Sequence, residues 1–540
     1  MNEHDRRGIS RRKLLLGAGA ALAAAAGGIV RAGAQVTGST TGGGTVPLRL
    51  PMGALNYLDR KEYIHNMEIH AHLPGGGNGA TDGNSSMFWT RGVQRTFLNG
   101  TDITDPRKPV VAFKPTRPAN GSLAYVASLK KWISLGSSGP PLTAPTPQFP
   151  RGQYDPEYAA KSRNYTGLRG IRTFDVTDPS RPVLMQEFST GTKGGGTHAN
   201  YWDGGKYAFL DCGWDDQLRM ESSERPYSNG LVIVDLSDPA RIKEVAKWWV
   251  PGQRYGEEAE YRKFPFAGDG SSWTGCHGGA CVPKRIEDGG TLGYCGMGQF
   301  GMYTLDLSDI TKPKVVHRLT HDLEAFGGIP YHTIYPIPDD LAHPQLRGHL
   351  IAVFECLETD CREPWHTSYV IDAREPRNPK IVGIFPRPVP DPTAPYADFC
   401  QARGRFSSHN IQPVIAPGQA RADLVALTYF NAGLRIYDIA DPTSPKEVAS
   451  WTPGATGNMD AWESWRRRDT SVFIEWDRNL IWVGSDAGLY CMSTPFLGKP
   501  ILEPRKVERW TMPYLNAGWD SQSSVAFHFG RSLSGMAELV

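Results

Sequence analysis

The chain has 540 residues, 40% of them hydrophobic, and its 58 Lys and Arg side chains nearly balance 56 Asp and Glu. Sixty Gly, 42 Pro and many aromatic residues favour short strands joined by turns over long helices. A charge balance of this kind gives no reason to expect a nucleic-acid partner.

The first 35 residues resemble a twin-arginine signal peptide. Arg11 and Arg12 precede an Ala- and Gly-rich apolar stretch, and small residues surround Ala34. The resemblance implies use of the twin-arginine export machinery, cleavage near Ala34, a periplasmic or secreted protein and no stable membrane span after cleavage. A lone membrane anchor is the alternative, although the stretch is short and Gly-rich for a span. Cleavage would leave 52 basic against 54 acidic residues.

One pattern recurs along the rest of the chain: an apolar strand that ends in Asp, a turn rich in Asp and Pro, and a second short strand. β-Branched and aromatic residues favour the strand, and Asp and Pro favour the turn that reverses it. Clear copies occupy 170–179, 230–239, 301–309, 368–376 and 433–442, with weaker ones at 101–106 and 488–495. The spacing leaves room for a four-stranded blade per copy. The pattern therefore predicts an all-β, seven-bladed β-propeller, with a β-solenoid or sandwich array as the alternative.

The sequence Gly-Leu-Val-Ile-Val-Asp at 230–235 resembles the motif of LVIVD-repeat proteins, which are taken to form β-propellers. Such a motif bears on the fold and says almost nothing about function. We expect a signal peptide at 1–35, a flexible segment at 36–54, the propeller at 55–510, and a C-terminal extension or closing segment at 511–540.

Four histidines open four consecutive predicted inner strands: His198, His277, His332 and His409. The innermost strands of a propeller line its central channel, so side chains at matching positions would converge at one face. Neutral imidazole binds Fe(II), Cu and Zn, and four nitrogens leave positions open for water, dioxygen or substrate. One such histidine alone is more simply a hydrogen-bonded structural residue. Four in register would be costly to bury without a metal or water.

This layout is similar to the metal sites of two propeller families, the carotenoid-cleaving oxygenases and the selenium-binding or methanethiol-oxidase proteins. Their metals are held by histidines from several blades, and the similarity concerns that layout alone. The expected cofactor is one transition metal ion, iron or copper rather than zinc. Asp211 and Glu355 end second strands at the same face, where either could accept an imidazole N–H and fix its tautomer. Surface acids are the alternative for both.

Long connections at 251–276, 386–408 and 452–470 precede the inner strands and would form a lid over an apolar or aromatic ligand, with ordinary rim loops as the alternative. The aromatic candidates for the pocket wall are Tyr201, Trp202 and Trp273, with core packing as the simpler role. The arginines available for an acidic group are Arg254, Arg262, Arg403 and Arg405.

His70 and His72 lie on one face of an early strand and could add a ligand from the first blade, although a solvated strand face is the simpler interpretation. Eight cysteines, an even number, suit an oxidising compartment and at least one disulfide. Cys276 with Cys281, and Cys356 with Cys361, are spaced to staple loops, but spacing does not determine the pairing.

The sequence favours an exported metal-dependent oxidoreductase that acts on a small apolar or aromatic substrate, with dioxygen as a candidate oxidant. It carries no serine nucleophile elbow, Walker loop or dinucleotide fingerprint. A non-catalytic binding propeller of the cell surface or periplasm is the first alternative. A metal-dependent hydrolase or lactonase is the second, although such propeller sites typically recruit more Asp, Glu and Asn.

Overall fold

The computed structural model describes residues 59–504 with gaps at 75–87, 92–94, 99, 114–121, 127, 141–163, 179, 216–228, 268–273, 321–326, 358–360, 362–366, 403, 413–417, 419, 456–470 and 486, together with residues 37–39, 45–47 and 525–526. The expected signal peptide, and most of the two expected terminal segments, lie outside these residues. Within the described ranges, no helix has the length and apolarity to cross a membrane.

The first strands lie ahead of the main sheets in the chain. Strands β1 (Thr37–Ser39) and β2 (Thr45–Pro47) pair as a small antiparallel sheet. They are followed by β3 (Tyr63–His65) and β4 (Glu68–Pro74), whose partners come from the other end of the chain.

Seven antiparallel sheets form the body of an all-β propeller, and we number them as blades 1 to 7. Blade 1 contains β5 (Phe88–Arg91), β6 (Arg95–Leu98), β7 (Thr101–Asp102) and β8 (Val110–Val111). Blade 2 contains β9 (Ser122–Val126), β10 (Lys131–Ser138), β11 (Gly170–Asp175) and β12 (Val183–Ser189). Blade 3 contains β13 (Gly196–Tyr201), β14 (Tyr207–Gly213), β15 (Gly230–Asp235) and β16 (Lys243–Trp248). A short helix α1 (Glu258–Tyr261) follows in the connection to blade 4.

Blade 4 contains β17 (Ala280–Cys281), β18 (Leu292–Gly296), β19 (Met302–Asp306) and β20 (Lys314–Leu319). Blade 5 contains β21 (Ile329–Pro336), β22 (His349–Glu355), β23 (Tyr369–Asp372) and β24 (Lys380–Ile384). Blade 6 contains β25 (Leu424–Tyr429), β26 (Gly433–Asp438) and β27 (Lys446–Thr452), with Ile411 bridged to Leu427 on the inner side and β3 on the outer edge. Blade 7 contains β28 (Ser471–Glu475), β29 (Leu480–Ser485), β30 (Gly488–Ser493) and β4, and the short β31 (Val525–Ala526) pairs with β9.

The recurring Asp marks the same position in the blades. Asp ends the third strand of blades 1 to 6, counting the inner bridge of blade 6 as its first strand, and Ser493 takes the corresponding place at the end of β30. Each of the six carboxylates accepts a backbone N–H from two residues further on, at 2.8–3.0 Å. These Asx turns reverse the chain into the fourth strand. The predicted all-β propeller is confirmed, and seven sheets fit the expected seven blades.

The two ends of the repeat array meet through strand pairing and side-chain contacts. Strand β4 completes blade 7 by pairing with β30, and β3 adds to the outer edge of blade 6. Arg478 of blade 7 donates to the carbonyls of Ile103 and Thr104 beside blade 1. One apolar cluster joins residues of blades 2, 6 and 7 to Ile103. The ring is therefore closed by the N-terminal strands.

This closure rules out the alternative in which His70 and His72 begin the first blade and add a ligand. Both lie on β4, an outer strand, so they are remote from the inner strands. His70 Nε2 is 2.7 Å from Ser493 Oγ, and His72 Nε2 is 2.9 Å from the carbonyl of Ala487. Neither joins the four histidines of the inner strands.

One disulfide connects Cys361, after β22, to Cys400 in the connection to blade 6. The expectation of at least one disulfide is confirmed, but both loop pairs named from spacing are wrong. Cys276, Cys281 and Cys356 are buried and lie outside the disulfide. Burial raises the pKa of the Cys276 and Cys281 thiols well above the ordinary value, so both are held protonated.

Candidate metal centre

Four imidazoles from four consecutive blades meet at the face where the innermost strands begin. They are His198 of blade 3, His277 of blade 4, His332 of blade 5 and His409 of blade 6, and none is more than 3% exposed. Successive ring centroids are 4.6, 4.0 and 5.2 Å apart in that order. The four side chains form one continuous buried group, which we call the histidine cluster.

The Nε2 atoms of the cluster lie close to one another or to a carboxylate. His198 Nε2 lies 3.0 Å from His277 Nε2. The carboxylate of Glu355 lies among the remaining nitrogens: Oε2 is 3.0 Å from His332 Nε2 and 3.9 Å from His277 Nε2, and Oε1 is 3.4 Å from His409 Nε2. The ligand atoms of His277, His332 and Glu355 all lie within 4.8 Å of one another, and His198 and His409 adjoin this group.

Irregular backbone aims two of these histidines. The pairing of β13 with β14 shifts register between Thr197 and Asn200, so His198 lies in a bulge. The pairing of β21 with β22 shifts between Ile329 and Thr333, just around His332. Tyr331 within that bulge has a φ of 52°, which is uncommon for a residue with a side chain. Bulges next to functional sites re-aim side chains in this way.

His277 is placed by close approach of two blades. Gly278 and Gly279 after it have φ values of 107° and 70°. A Cβ at Gly279 would lie 2.2 Å from the carbonyl oxygen of Phe209, a residue of blade 3. Only glycine lets the chain of blade 4 approach β14 this closely, and the approach brings His277 to His198.

Glu355 is a buried carboxylate paired with the Arg405 guanidinium and flanked by imidazoles. Arg405 donates from Nη2 to its Oε1 and from Nε to the carbonyl of Cys356 at 2.9 Å. Burial alone would raise the pKa of Glu355, but electrostatic interactions with His409, Arg405 and His332 outweigh burial and hold that pKa well below its ordinary value. The carboxylate is therefore ionised at neutral pH.

The imidazole of His332 is kept neutral. It is fully buried, and its Nδ1 lies 2.7 Å from Thr333 Oγ1. Burial lowers the pKa of His332, and although Glu355 opposes this effect, burial dominates. A neutral imidazole with Nδ1 engaged and Nε2 turned inward is the form that binds a metal ion.

The two carboxylates predicted as imidazole acceptors behave differently. Asp211 accepts from the side chain of Asn229 and from the backbone N–H of Ala199 at 3.4 Å, so it braces the bulge that carries His198. Glu355 contacts imidazoles, but on their Nε2 side and not behind them at Nδ1. The expectation of an outer tautomer-fixing role for Glu355 is therefore wrong in its geometry.

Most of the predicted substrate-pocket residues lie elsewhere. Tyr201 donates to the carbonyl of Val282 and Trp202 donates to that of Gly205, and both are buried in the core at the end of β13 remote from His198. The Arg254 guanidinium stacks on Trp249, with Cζ 4.6 Å from the ring centroid. Tyr201 and Trp202 therefore pack the blade and do not line a channel.

Trp273 and Arg403 lie outside the described residues. Arg405, expected to await an acidic ligand, is instead buried against Glu355, and its Cζ lies 3.9 Å from the centroid of the Phe430 ring. Phe430 in turn stacks on His409 at 4.6 Å. One feature of the sequence could have placed Arg405 at the cluster: it precedes His409 by only four residues.

A second group with metal-ligand atoms lies at the opposite face, between blades 5 and 6. Asp340, His343 and Asp423 bring their ligand atoms within 4.8 Å of one another. Arg421, however, donates to both carboxylate oxygens of Asp423. This group is an ion-pair network around an arginine.

Pairs of donor atoms in the histidine cluster have the separation expected of two ligands of one metal ion. Two ligand atoms about 2.1 Å from one ion and at right angles lie about 3.0 Å apart. The separations His198 Nε2 to His277 Nε2 and His332 Nε2 to Glu355 Oε2 are both 3.0 Å. Imidazole nitrogen with carboxylate oxygen suits iron, copper and zinc.

Comparison with known proteins agrees with a repeat propeller. The LVIVD repeat model matches residues 227–248 and 427–452, which lie in blades 3 and 6. No curated protein matches the chain. The Myceliophteria thermophila Cps50 (Swd1) β-propeller domain is 11% identical, with 60% of this chain and 90% of that domain covered and a TM-score of 0.31. Two structures of Sqt1 from Chaetomium thermophilum are 12% and 13% identical, with 60% of this chain and 65% and 63% of those chains covered, at TM-scores of 0.32 and 0.31. These matches assign no activity.

Proposed function

We propose that this LVIVD-repeat propeller is an exported metal-dependent oxidoreductase. Its metal would be held by the imidazoles of His198, His277, His332 and His409. The observation that carries the proposal is the 3.0 Å approach of His198 Nε2 to His277 Nε2 inside a group of four buried imidazoles. Nitrogen atoms so arranged from separate blades suit one shared ion.

The chain's own residues supply an environment for redox chemistry. Bound iron or copper would provide one-electron chemistry and a place for dioxygen. The protein buries the cluster, holds His332 neutral and provides the ionised carboxylate of Glu355. The proposed substrate is a small apolar or aromatic molecule, and the Phe430 ring that stacks on His409 supports this choice.

Export is part of the proposal. The N-terminal resemblance to a twin-arginine signal supports it, and the Cys361–Cys400 disulfide suits an oxidising compartment such as the periplasm. Proteins exported in the folded state can carry a metal that was inserted beforehand.

The test is the metal content of purified protein from the exporting cell. We expect one iron or copper per chain, lost on replacing any one cluster histidine by Ala while cooperative unfolding remains. His317→Ala is the control, because His317 lies on β20, an outer strand. A quadruple Ala variant with full metal content would refute the proposal and favour a binding propeller. Stoichiometric zinc without a redox metal would favour the hydrolase or lactonase.

A further inference from the structure

We propose that Glu355 is a fifth ligand of the metal and that Arg405 is the residue that positions it. This inference rests on the proposed function, because it concerns the same ion. With Glu355 as a ligand, the metal would be bound by an anionic carboxylate oxygen as well as by imidazole nitrogens.

The side of the imidazole that Glu355 occupies is the first argument. A carboxylate that only orients a ligand histidine accepts a hydrogen bond from the ring nitrogen that faces away from the metal. In His332 that nitrogen, Nδ1, lies 2.7 Å from Thr333 Oγ1. Glu355 Oε2 lies 3.0 Å from the opposite nitrogen, Nε2, and 3.9 Å from His277 Nε2. The ligand atoms of these three residues all lie within 4.8 Å of one another. The carboxylate therefore lies on the side of the imidazoles that would face the ion, as a ligand would. It does not lie behind them, as an orienting acceptor would.

Arg405 leaves one carboxylate oxygen for the metal. Its Nη2 donates to Oε1, whereas Oε2 is the oxygen nearest to His332 and His277. The guanidinium is fixed by three further contacts: Nε and Nη2 donate to the carbonyl of Cys356, and the plane lies over Phe430. Phe430 also stacks on His409. Arg405 thus holds Glu355 and a ligand imidazole in one rigid unit that favours monodentate binding.

Five protein ligands have a consequence for chemistry. An ion held by four imidazoles and one carboxylate would have a single position left if it took six ligands, and it would then bind one small ligand at a time. Dioxygen and an organic substrate could not both bind the ion while Glu355 remains in place. The substrate would then be held by the protein next to the ion.

The experiment uses the full mature chain, freed of metal and titrated with Co(II), whose affinity and visible spectrum report on ligand number. Glu355→Gln keeps the size of the side chain and removes its charge. Glu355→Asp keeps the charge opposite Arg405 and withdraws the oxygens, which guards against a variant that fails to fold. We expect both to change the Co(II) spectrum and Glu355→Gln to weaken binding by more than the roughly 10–100-fold typical of outer residues.

Arg405→Lys and Arg405→Met test the positioning role. Lys retains a charge opposite Oε1, so it should keep the native Co(II) spectrum with a modest loss of affinity. Met should alter the spectrum as the Glu355 variants do. The matched control is Asp203→Asn, since Asp203 is another buried acid, with Arg285 Nε 3.3 Å from its Oδ2, in the turn after β13. It should change neither affinity nor spectrum.

The outcomes separate the two proposals. If Glu355→Gln binds Co(II) within tenfold of the wild type with an unchanged spectrum, Glu355 is not a ligand. If His332→Ala abolishes binding in the same series, the metal site itself stands. If the wild type binds no Co(II), iron or copper, both proposals fail together.

Discussion

The buried ion pair between Arg478 and Glu475 offers the sharpest test of how the ring is closed. The side chains are 1% and 0% exposed, and Nη2 of the arginine lies 2.8 and 2.6 Å from the two carboxylate oxygens. The same guanidinium donates to the carbonyls of Ile103 and Thr104 beside blade 1. Trp482 Nε1 donates to Glu475 at 2.7 Å. One side chain therefore joins the last blade to the first.

We expect Arg478→Met to lower the free energy of unfolding by about 3–5 kcal/mol, the cost of leaving a buried charge without its partner. Burial raises the pKa of Glu475 even with Arg478 beside it, which shows how poorly the site solvates a carboxylate. Without the arginine, Glu475 should take up a proton more readily. The destabilisation should therefore shrink as the pH falls from 7 towards 5.

The double variant Arg478→Met with Glu475→Gln distinguishes two contributions to the loss of stability: the unpaired charge of Glu475 and the lost contacts of Arg478. Gln keeps an acceptor for Trp482 and removes the unpaired charge, so the double variant should be more stable than Arg478→Met alone. It should remain less stable than the wild type, since the carbonyls of Ile103 and Thr104 still lack their donor.

Calorimetry and denaturant unfolding at pH 7 and pH 5 measure these differences. The control is Arg374→Met, because Arg374 pairs with Asp372 at the surface with its side chain 61% exposed, and it should cost at most about 1 kcal/mol. Equal costs for Arg478→Met and Arg374→Met, or a double variant no better than the single one, would refute the reasoning.

Three further predictions concern acid stability, the disulfide and the N-terminal strands. Burial lowers the pKa of His332, so metal-free protein should lose stability as the pH falls below about 6.5, the ordinary pKa of histidine. His332→Gln should flatten the plot of melting temperature against pH in that range. Replacing Cys361 and Cys400 by Ser opens a loop of 39 residues, and denaturant unfolding should show the free energy of unfolding lowered by up to about 4 kcal/mol through chain entropy. Thiol counting by mass spectrometry should find six free cysteines in the wild type. A chain that starts at residue 55 should melt like the mature protein, whereas one that starts at residue 76 lacks β3 and β4 and should lose cooperative melting or aggregate through the exposed edges.

The sequence alone determined the blade repeat, because the interactions that define it are local. Each marker Asp accepts a hydrogen bond from the backbone only two residues on, so the turn is specified within a few residues. The strands before and after it follow from β-branched and aromatic composition. The histidines that open inner strands could be read from the same register, and the structure brings them together.

Tertiary structure decided which acid enters the cluster and where the ends of the chain lie. Asp211 and Glu355 have the same local context, an acid followed by Cys at the end of a second strand. Both also lie opposite a bulge that carries a histidine. Glu355 receives an arginine from the next connection, whereas Asp211 accepts from the side chain of Asn229. Likewise, His70 and His72 lie on a strand whose partner, β30, is more than 400 residues away in the chain, which no local pattern reveals. Contacts between distant segments depend on how the ring closes, and that closure is a property of the whole fold.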